Sequence, residues 1–287
     1  MRVIFVPVAD RPECGLALQA AFGLGHTLRA NIFGCHIRPH SYSDVSLPSE
    51  IAPAGIANSE AEWAAALKPR NARKTSAAAK ALFKQIAERH DYALIRGPRS
   101  APGAVWIEKT GSPNKVLGIM GPVADLLIVS RPATKSSQLA RMILLAALLK
   151  SARPVLVLPN KQKRGVGKRV CIAWNQSAEA ARVVAAALPL LQTADNVTIV
   201  TCGKENRPGP KSSQLATYLR YWGIKSNRVS QRGHHEPKEI LDVVSKSRSD
   251  LLVMGAYSRN RMAERVFGGV TEYMLKRASV PILMLHT

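Results

Sequence analysis

The segment from Gly255 to Thr271 has the residue types that bind phosphate groups in α/β proteins. It begins directly after the apolar run 251–254 and ends where a helical pattern starts. Glycine at a strand end lets the backbone approach a ligand, and Gly268 and Gly269 would place free N–H groups at the positive end of a helix dipole. Arg259, between these glycines, would add charge-assisted hydrogen bonds. The segment therefore predicts a phosphate-binding loop.

Such a loop has to be held by a sheet, and the C-terminal half of the sequence predicts one. Short apolar runs with few charges alternate there with helical patterns, which is typical of parallel strands buried on both faces. The predicted strands are 169–174, 197–202, 228–231, 251–255 and 281–286, and the predicted helices are 178–191, 213–222, 237–247 and 269–277. This order predicts a doubly wound α/β fold, which binds ligands where the strand order reverses.

The N-terminal half repeats the landmarks of the C-terminal half in the same order. Arg2–Pro7 corresponds to Arg169–Trp174, Asp125–Val129 to Asp250–Met254, and Pro154–Leu158 to Pro281–Leu285. A conserved order of this kind is what an internal duplication produces. The sequence therefore predicts two domains, 1–160 and 168–287, joined by a short cationic linker. The first domain has roughly forty extra residues, which predict an inserted loop near 38–64 and then a helix over 75–89.

The loop of the first repeat that corresponds to the glycine segment has different chemistry. Ser130-Arg131-Pro132 follows the apolar run, without glycine, and Pro132 lacks a backbone donor. The next helix opens near Gln138 without a Gly-Gly pair. We therefore expect no phosphate site in the first domain.

Composition limits the remaining classes of function. The 287 residues carry a net charge of +22, only 5% are aromatic, and no apolar run approaches the ~20 residues that span a bilayer. The start of the chain lacks the pattern of a signal peptide, so we expect a cytoplasmic protein. Low aromatic content argues against a protein built around base stacking. The charge would attract nucleic acid or acidic proteins, or it belongs simply to a solvated surface.

Other candidate sites carry less weight. Gly23-Leu24-Gly25 lies in a helical stretch, no P-loop and no Gly-x-Ser-x-Gly elbow is present, and no nucleophile is paired with a base. We interpret His234-His235-Glu236 as a turn before a helix at Pro237, and His36 as a core residue. The cysteines are scattered without ligand spacing and are expected to be reduced; they are Cys14, Cys35, Cys171 and Cys202.

The glycine segment resembles the nucleotide-binding motif of the universal stress protein family, written G-x2-G-x9-G-(S/T). The first and third glycines fall on Gly255 and Gly268, while Ser258 replaces the second. Gly269 stands at the Ser/Thr position, and Thr271 supplies a hydroxyl two residues later. The resemblance covers the C-terminal half well and the N-terminal half more loosely. It implies ATP or another adenine nucleotide, with no metal except Mg²⁺ that accompanies it.

The resemblance also assigns residues at the end of the first strand of this half. Asn175 stands where nucleotide-binding members have an acid that meets the adenosine, and Ala173 would line the adenine slot. The nucleotide-binding residues so implied are Ala173, Asn175, Gly255, Ser258, Arg259, Gly268, Gly269, Val270 and Thr271.

Together with the duplication, the resemblance is to the tandem members of the family. It implies a stress-response protein without catalysis, or with weak ATP hydrolysis at most. It also implies that the apolar closing strands 154–159 and 281–286 pair to give an intramolecular pseudo-dimer, with a further homodimer left open. A scaffold or polyanion-binding protein that uses the basic surface is the alternative function.

Overall fold

A computed structural model of the chain describes residues 1–9, 11–38, 72–132, 138–161, 165–232, 235–256 and 269–286. The chain divides into two compact units, Arg2–Ser151 and Ala152–Thr287. The described part has no helix both long and apolar enough to cross a membrane.

The first unit is a parallel sheet with helical crossovers. Its strands are β1 (Val3–Pro7), β2 (Asn31–Arg38), β3 (Ala104–Thr110) and β4 (Leu126–Ser130), and its helices are α1 (Pro12–Leu28), α2 (Ala72–Arg89), α3 (Pro113–Met120) and α4 (Gln138–Lys150), with a 3-10 turn at Gly121–Val123. The strand order is β3-β2-β1-β4. The helix expected over 75–89 is confirmed as α2, and Gly23 and Gly25 lie inside α1. The predicted 38–64 loop falls, after Arg38, outside the described residues.

The second unit repeats this plan. Its strands are β5 (Val155–Leu158), β6 (Arg169–Ala173), β7 (Asn196–Cys202), β8 (Ser226–Gln231), β9 (Leu251–Gly255) and β10 (Ile282–Leu285), and its helices are α5 (Ala178–Leu191), α6 (Ser212–Tyr221), α7 (Glu236–Lys246) and α8 (Gly269–Arg277). The order is β5-β10-β9-β6-β7-β8. Every element predicted for this half is present, with bounds within two residues. The doubly wound α/β fold is confirmed in both units.

Equivalent aspartates fix the start of the first strand in each repeat. The carboxylate of Asp125 accepts hydrogen bonds from the N–H groups of Arg2 and Val3, at 2.6 and 3.0 Å. The carboxylate of Asp250 accepts them from three consecutive N–H groups, those of Gly167, Lys168 and Arg169, at 2.9, 3.2 and 3.1 Å. The shared Asp-Leu-Leu pattern therefore has a structural role, because the acid sets where the neighbouring strand begins.

The closing strands of the two repeats pair with each other within the second unit. β5 and β10 are antiparallel, with Leu156 opposite Leu283, Val155 opposite Met284 and Val157 opposite Ile282. Leu156 and Leu283 are equivalent positions of the two repeats, so the pairing has a local twofold symmetry. The predicted pairing of these strands is confirmed, and it covers two apolar edges that would otherwise be free to aggregate.

Candidate functional site

The strand order of the second unit reverses between β6 and β9. From β6 the chain proceeds outward to β7 and β8, and it then returns on the other side through β9 and β10. Parallel pairing of Ala173 with Met254 brings the carboxyl ends of the two central strands together. Asn175 and Gly255 therefore flank one crevice, which is where doubly wound sheets bind ligands.

Asn175 presents a polar side chain at this edge. It is exposed, and its carbonyl oxygen accepts a hydrogen bond from the N–H of Ser177 at 3.2 Å. Ser177 in turn caps α5, since its hydroxyl accepts from the N–H of Ala180 at 3.1 Å. The turn thus holds Asn175 in place and leaves its NH2 group as the donor available to a ligand.

Gly255 is required by packing against α5. A Cβ atom at this position would lie 2.9 Å from the nitrogen of Ala180 and 3.0 Å from the Cβ of Glu179. The sequence suggested that this glycine admits a ligand, whereas in the structure it admits the first turn of a helix. The close contact brings the positive end of α5 to the crevice.

The start of α8 supplies the second half of the candidate site. Gly269 is exposed and Val270 is half-buried, and the first N–H groups of a helix have no acceptor within it. Thr271 is only 5% exposed, so its hydroxyl faces the protein. The predicted ligands Ser258, Arg259 and Gly268 lie outside the described residues.

A loop that follows β7 is fastened over the end of β6. We call residues 203–211 the strap. The indole N–H of Trp174 donates to the carbonyl of Pro210 at 2.8 Å. The amide of Gln176 donates to the carbonyls of Arg207 and Gly209, at 3.1 and 2.9 Å, and accepts from the N–H of Arg207 at 3.2 Å. Trp174 and Gln176 are both buried, so the strap packs closely over the end of β6.

The backbone of Gln176 explains how closely the strap fits. Gln176 has a φ of 63°, the left-handed conformation that favours glycine. A Cβ atom at Gly209 would collide with the carbonyl oxygen of Gln176. Sequence reasoning missed this contact, which joins residues thirty-three positions apart.

His286 and Glu179 complete the edge, and neither was identified from the sequence. His286 follows Leu285, which pairs with Gly255. Burial lowers the pKa of His286, and the negative charge of Glu179 acts in the opposite direction. Their places in the sequence could have indicated them. His286 directly follows β10, and Glu179 lies in the first turn of α5, the helix after β6.

The corresponding edge of the first unit is filled by protein groups. The hydroxyl of Ser130, at the end of β4, donates to the carbonyl of Glu13 in α1 at 2.6 Å. Glu13 also forms an ion pair with Arg11 at 3.8 Å, and burial lowers the pKa of Arg131. The polar side chains described at this edge are thus bonded to other protein groups or buried.

The remaining candidates from the sequence are structural residues. His235 caps α7. Its ring Nδ1 accepts a hydrogen bond from the backbone N–H of Lys238 at 3.3 Å, and its backbone N–H donates to the carboxylate of Glu239 at 3.0 Å. The turn interpretation is confirmed for His235, while His234 lies outside the described residues. His36 is buried in β2, and its Nδ1 hydrogen-bonds the carbonyl of Val8 at 2.9 Å, as expected of a core residue.

The cysteines and a separate cavity lie outside the candidate site. All four cysteines are free thiols, as expected. Within the described residues, no group of three His, Cys, Asp or Glu side chains could hold a metal ion. A cavity of about 510 Å³, bordered by Asp250, Arg277 and Pro281, lies at the amino ends of β9 and β10. It is at the opposite edge of the sheet from Asn175 and contributes nothing to this site.

A sequence profile of the universal stress protein family matches residues 204–286. These residues, from the strap to the last strand of the second unit, are therefore similar to the universal stress protein domain. Universal stress protein Slr1230 of Synechocystis is 31% identical over 135 residues, which are 46% of this chain and 46% of that protein. The match therefore spans less than half the length of this relative.

Two solved structures resemble the fold along almost the whole chain. One is a universal stress protein from Archaeoglobus fulgidus, with a TM-score of 0.65 and 15% identity over 99% of this chain and 97% of that chain. The other, a protein of unknown function from Pseudomonas aeruginosa, gives a TM-score of 0.60 and 14% identity over 99% and 92%. At these identities the likeness concerns the fold, and it agrees with two tandem α/β units.

Proposed function

We propose that the chain is a cytoplasmic tandem universal stress protein that binds an adenine nucleotide in its second domain, 168–287. The observation that carries the proposal is the reversal of strand order between β6 and β9, with Asn175 and the start of α8 following these two strands. The first domain, 1–160, would be a structural partner, since Ser130 and Glu13 at its equivalent edge bond to protein groups.

The described residues fit the ribose and phosphate parts of such a ligand. The NH2 group of Asn175 would donate to a ribose hydroxyl, and the N–H groups at Gly269 and Val270 would hold a phosphate. Ser258, Arg259 and Gly268 would complete the phosphate loop, and Mg²⁺ would accompany the phosphates.

The base end of the ligand needs a movement of the strap. Ala173, which would line the adenine slot, is only 9% exposed, and the neighbouring Trp174 is hydrogen-bonded to the strap. We therefore propose that the nucleotide binds when the strap is displaced. A protein that changes conformation on binding is suited to sensing a nucleotide.

Calorimetric titration with ATP and ADP tests the proposal, using Gly269→Glu as the decisive variant. A carboxylate at the start of α8 repels phosphate but favours the helix dipole, so the fold is kept while affinity falls at least tenfold. The matched control is Gln138→Glu, which puts the same charge at the start of α4 in the first unit and should leave affinity unchanged. Equal binding by both variants would exclude α8 from the site.

A further inference from the structure

Three aromatic side chains are exposed together at the end of α6. Tyr218, Tyr221 and Trp222 are 40%, 87% and 45% exposed, and the rings of Tyr218 and Trp222 meet edge to face with centroids 6.4 Å apart. Their spacing, i, i+3 and i+4, puts them on one side of the helix. Leu215 and Leu219, on the other side, are buried. We call the three residues the aromatic face.

The aromatic face lies in a stretch of the second unit whose charged residues are all cationic. No Asp or Glu occurs in the thirty residues from Asn206 to His235. The same stretch has six exposed cations, none of them in an ion pair in the described part of the chain; they are Arg207, Lys211, Arg220, Lys225, Arg228 and Arg232. This surface therefore attracts negative charge from several directions.

The neighbouring strand extends the same surface. β8 pairs with β7 on one side and ends the strand order of the second unit, and α6 packs beside it. Its Asn227, Arg228 and Ser230 are exposed. A cation on an edge strand also protects against aggregation, which accounts for Arg228. It does not account for aromatic rings left in water beside it.

Exposed rings among cations are the features that bind single-stranded nucleic acid, because bases stack on the rings while the cations follow the phosphates. A duplex would satisfy the cations but keeps its base faces covered. A membrane-binding helix would need aliphatic side chains on the same side, and the exposed residues earlier in α6 are Ser213, Gln214 and Thr217. We propose that the aromatic face and the cations around it bind single-stranded RNA or DNA.

Fluorescence anisotropy of the full-length protein with labelled U15 and T15 oligonucleotides tests the proposal. Stacking on two rings predicts that the double variant Tyr221→Ala/Trp222→Ala binds at least tenfold more weakly, whereas Tyr221→Phe/Trp222→Phe keeps the affinity. Lys225→Glu/Arg228→Glu should weaken binding by a similar factor. All four substituted side chains are exposed, so circular dichroism should show an unchanged fold.

The matched control reverses two exposed cations elsewhere, with Lys80→Glu/Lys84→Glu on α2. Its affinity should stay close to that of the unchanged protein. With about 0.7 counterions released per phosphate, four phosphate contacts predict a roughly 50-fold loss of affinity between 50 and 200 mM salt. The variant Gly269→Glu should bind the oligonucleotides normally, which separates this surface from the nucleotide site.

Several results would overturn the proposal. One is equal affinity for a 15-base-pair duplex, since stacking would then not contribute. Another is an alanine variant that binds like the unchanged protein. A third is sedimentation with vesicles of 30% phosphatidylserine that depends on Trp222 while the oligonucleotides do not bind. A fourth is a change in oligomeric state alone, which would assign the aromatic face to self-association.

Discussion

The carboxyl edges of the two repeats have the same geometry but are occupied differently. Ser130 and Gly255 are equivalent positions at the ends of β4 and β9, and each contacts the helix that follows the first strand of its repeat. Ser130 donates a hydrogen bond to Glu13, whereas Gly255 leaves room for the backbone at Glu179 and Ala180. One residue at this point therefore decides how closely the helix approaches the sheet.

The side chains at other equivalent positions of the two carboxyl edges also differ. Asn175 corresponds to Val8, and Ala256 corresponds to Arg131. The first edge carries the charged groups of Arg11, Glu13 and Arg131, while the second has the exposed amide of Asn175 and the small Ala256 beside Glu179 and His286. The two repeats share the sheet, whereas the residues at its carboxyl edge differ. Fold alone therefore does not indicate whether either unit binds a ligand.

The largest expected effect is at Gly255. Gly255→Val forces carbon atoms into the backbone of α5, and overpacking of this kind costs about 2–3 kcal/mol of unfolding free energy. Ser130→Ala loses one hydrogen bond, for about 1 kcal/mol. Urea unfolding of both variants measures the difference. Equal losses would mean that α5 is not held more closely than α1.

The strap gives the second prediction. Gln176→Gly removes the side-chain hydrogen bonds to Arg207 and Gly209 but suits the left-handed backbone. Three hydrogen bonds of about 1 kcal/mol each are lost and about 1 kcal/mol of backbone strain is relieved, so we expect a net loss of about 2 kcal/mol in stability. ATP affinity should rise several-fold, because the strap opens more easily. Gln176→Ala is the control: it frees the strap equally and keeps the backbone strain. Weaker ATP binding by both variants would show that the strap supports the ligand instead of covering it.

The strands and helices of the second unit could be predicted from the sequence, because the signals that define them lie within each element or beside it. Apolar runs, caps and the Asp-Leu-Leu repeat act over short distances, so the elements of the second unit were located within two residues. The strap contact joins Gln176 to Gly209, thirty-three residues later, and no periodicity indicates it. The aromatic face was hidden for a similar reason, because composition averages over a surface on which three rings are concentrated.

The smallest effect concerns the thiols, and it tests whether the cores of the two units are alike. Burial raises the pKa of Cys35 in the first unit and of Cys171 in the second to about 12, from 9.0. The unfolded chain loses these protons near pH 9 and the folded chain keeps them, so stability falls as the pH rises above 9. At pH 8, Ellman's reagent should label both thiols only as fast as the protein unfolds. Immediate labelling of either one would show an open core.

Hydrogen exchange of the full-length protein, with and without saturating ATP, tests the nucleotide site most directly. Binding at the proposed site predicts slower exchange in peptides that contain residues 173–177, 255–256 and 269–271, and no change in peptides with residues 7–9 and 130–132. Slower exchange at the edge of the first unit, or no change at either edge, would contradict the proposal that the second domain is the nucleotide-binding one.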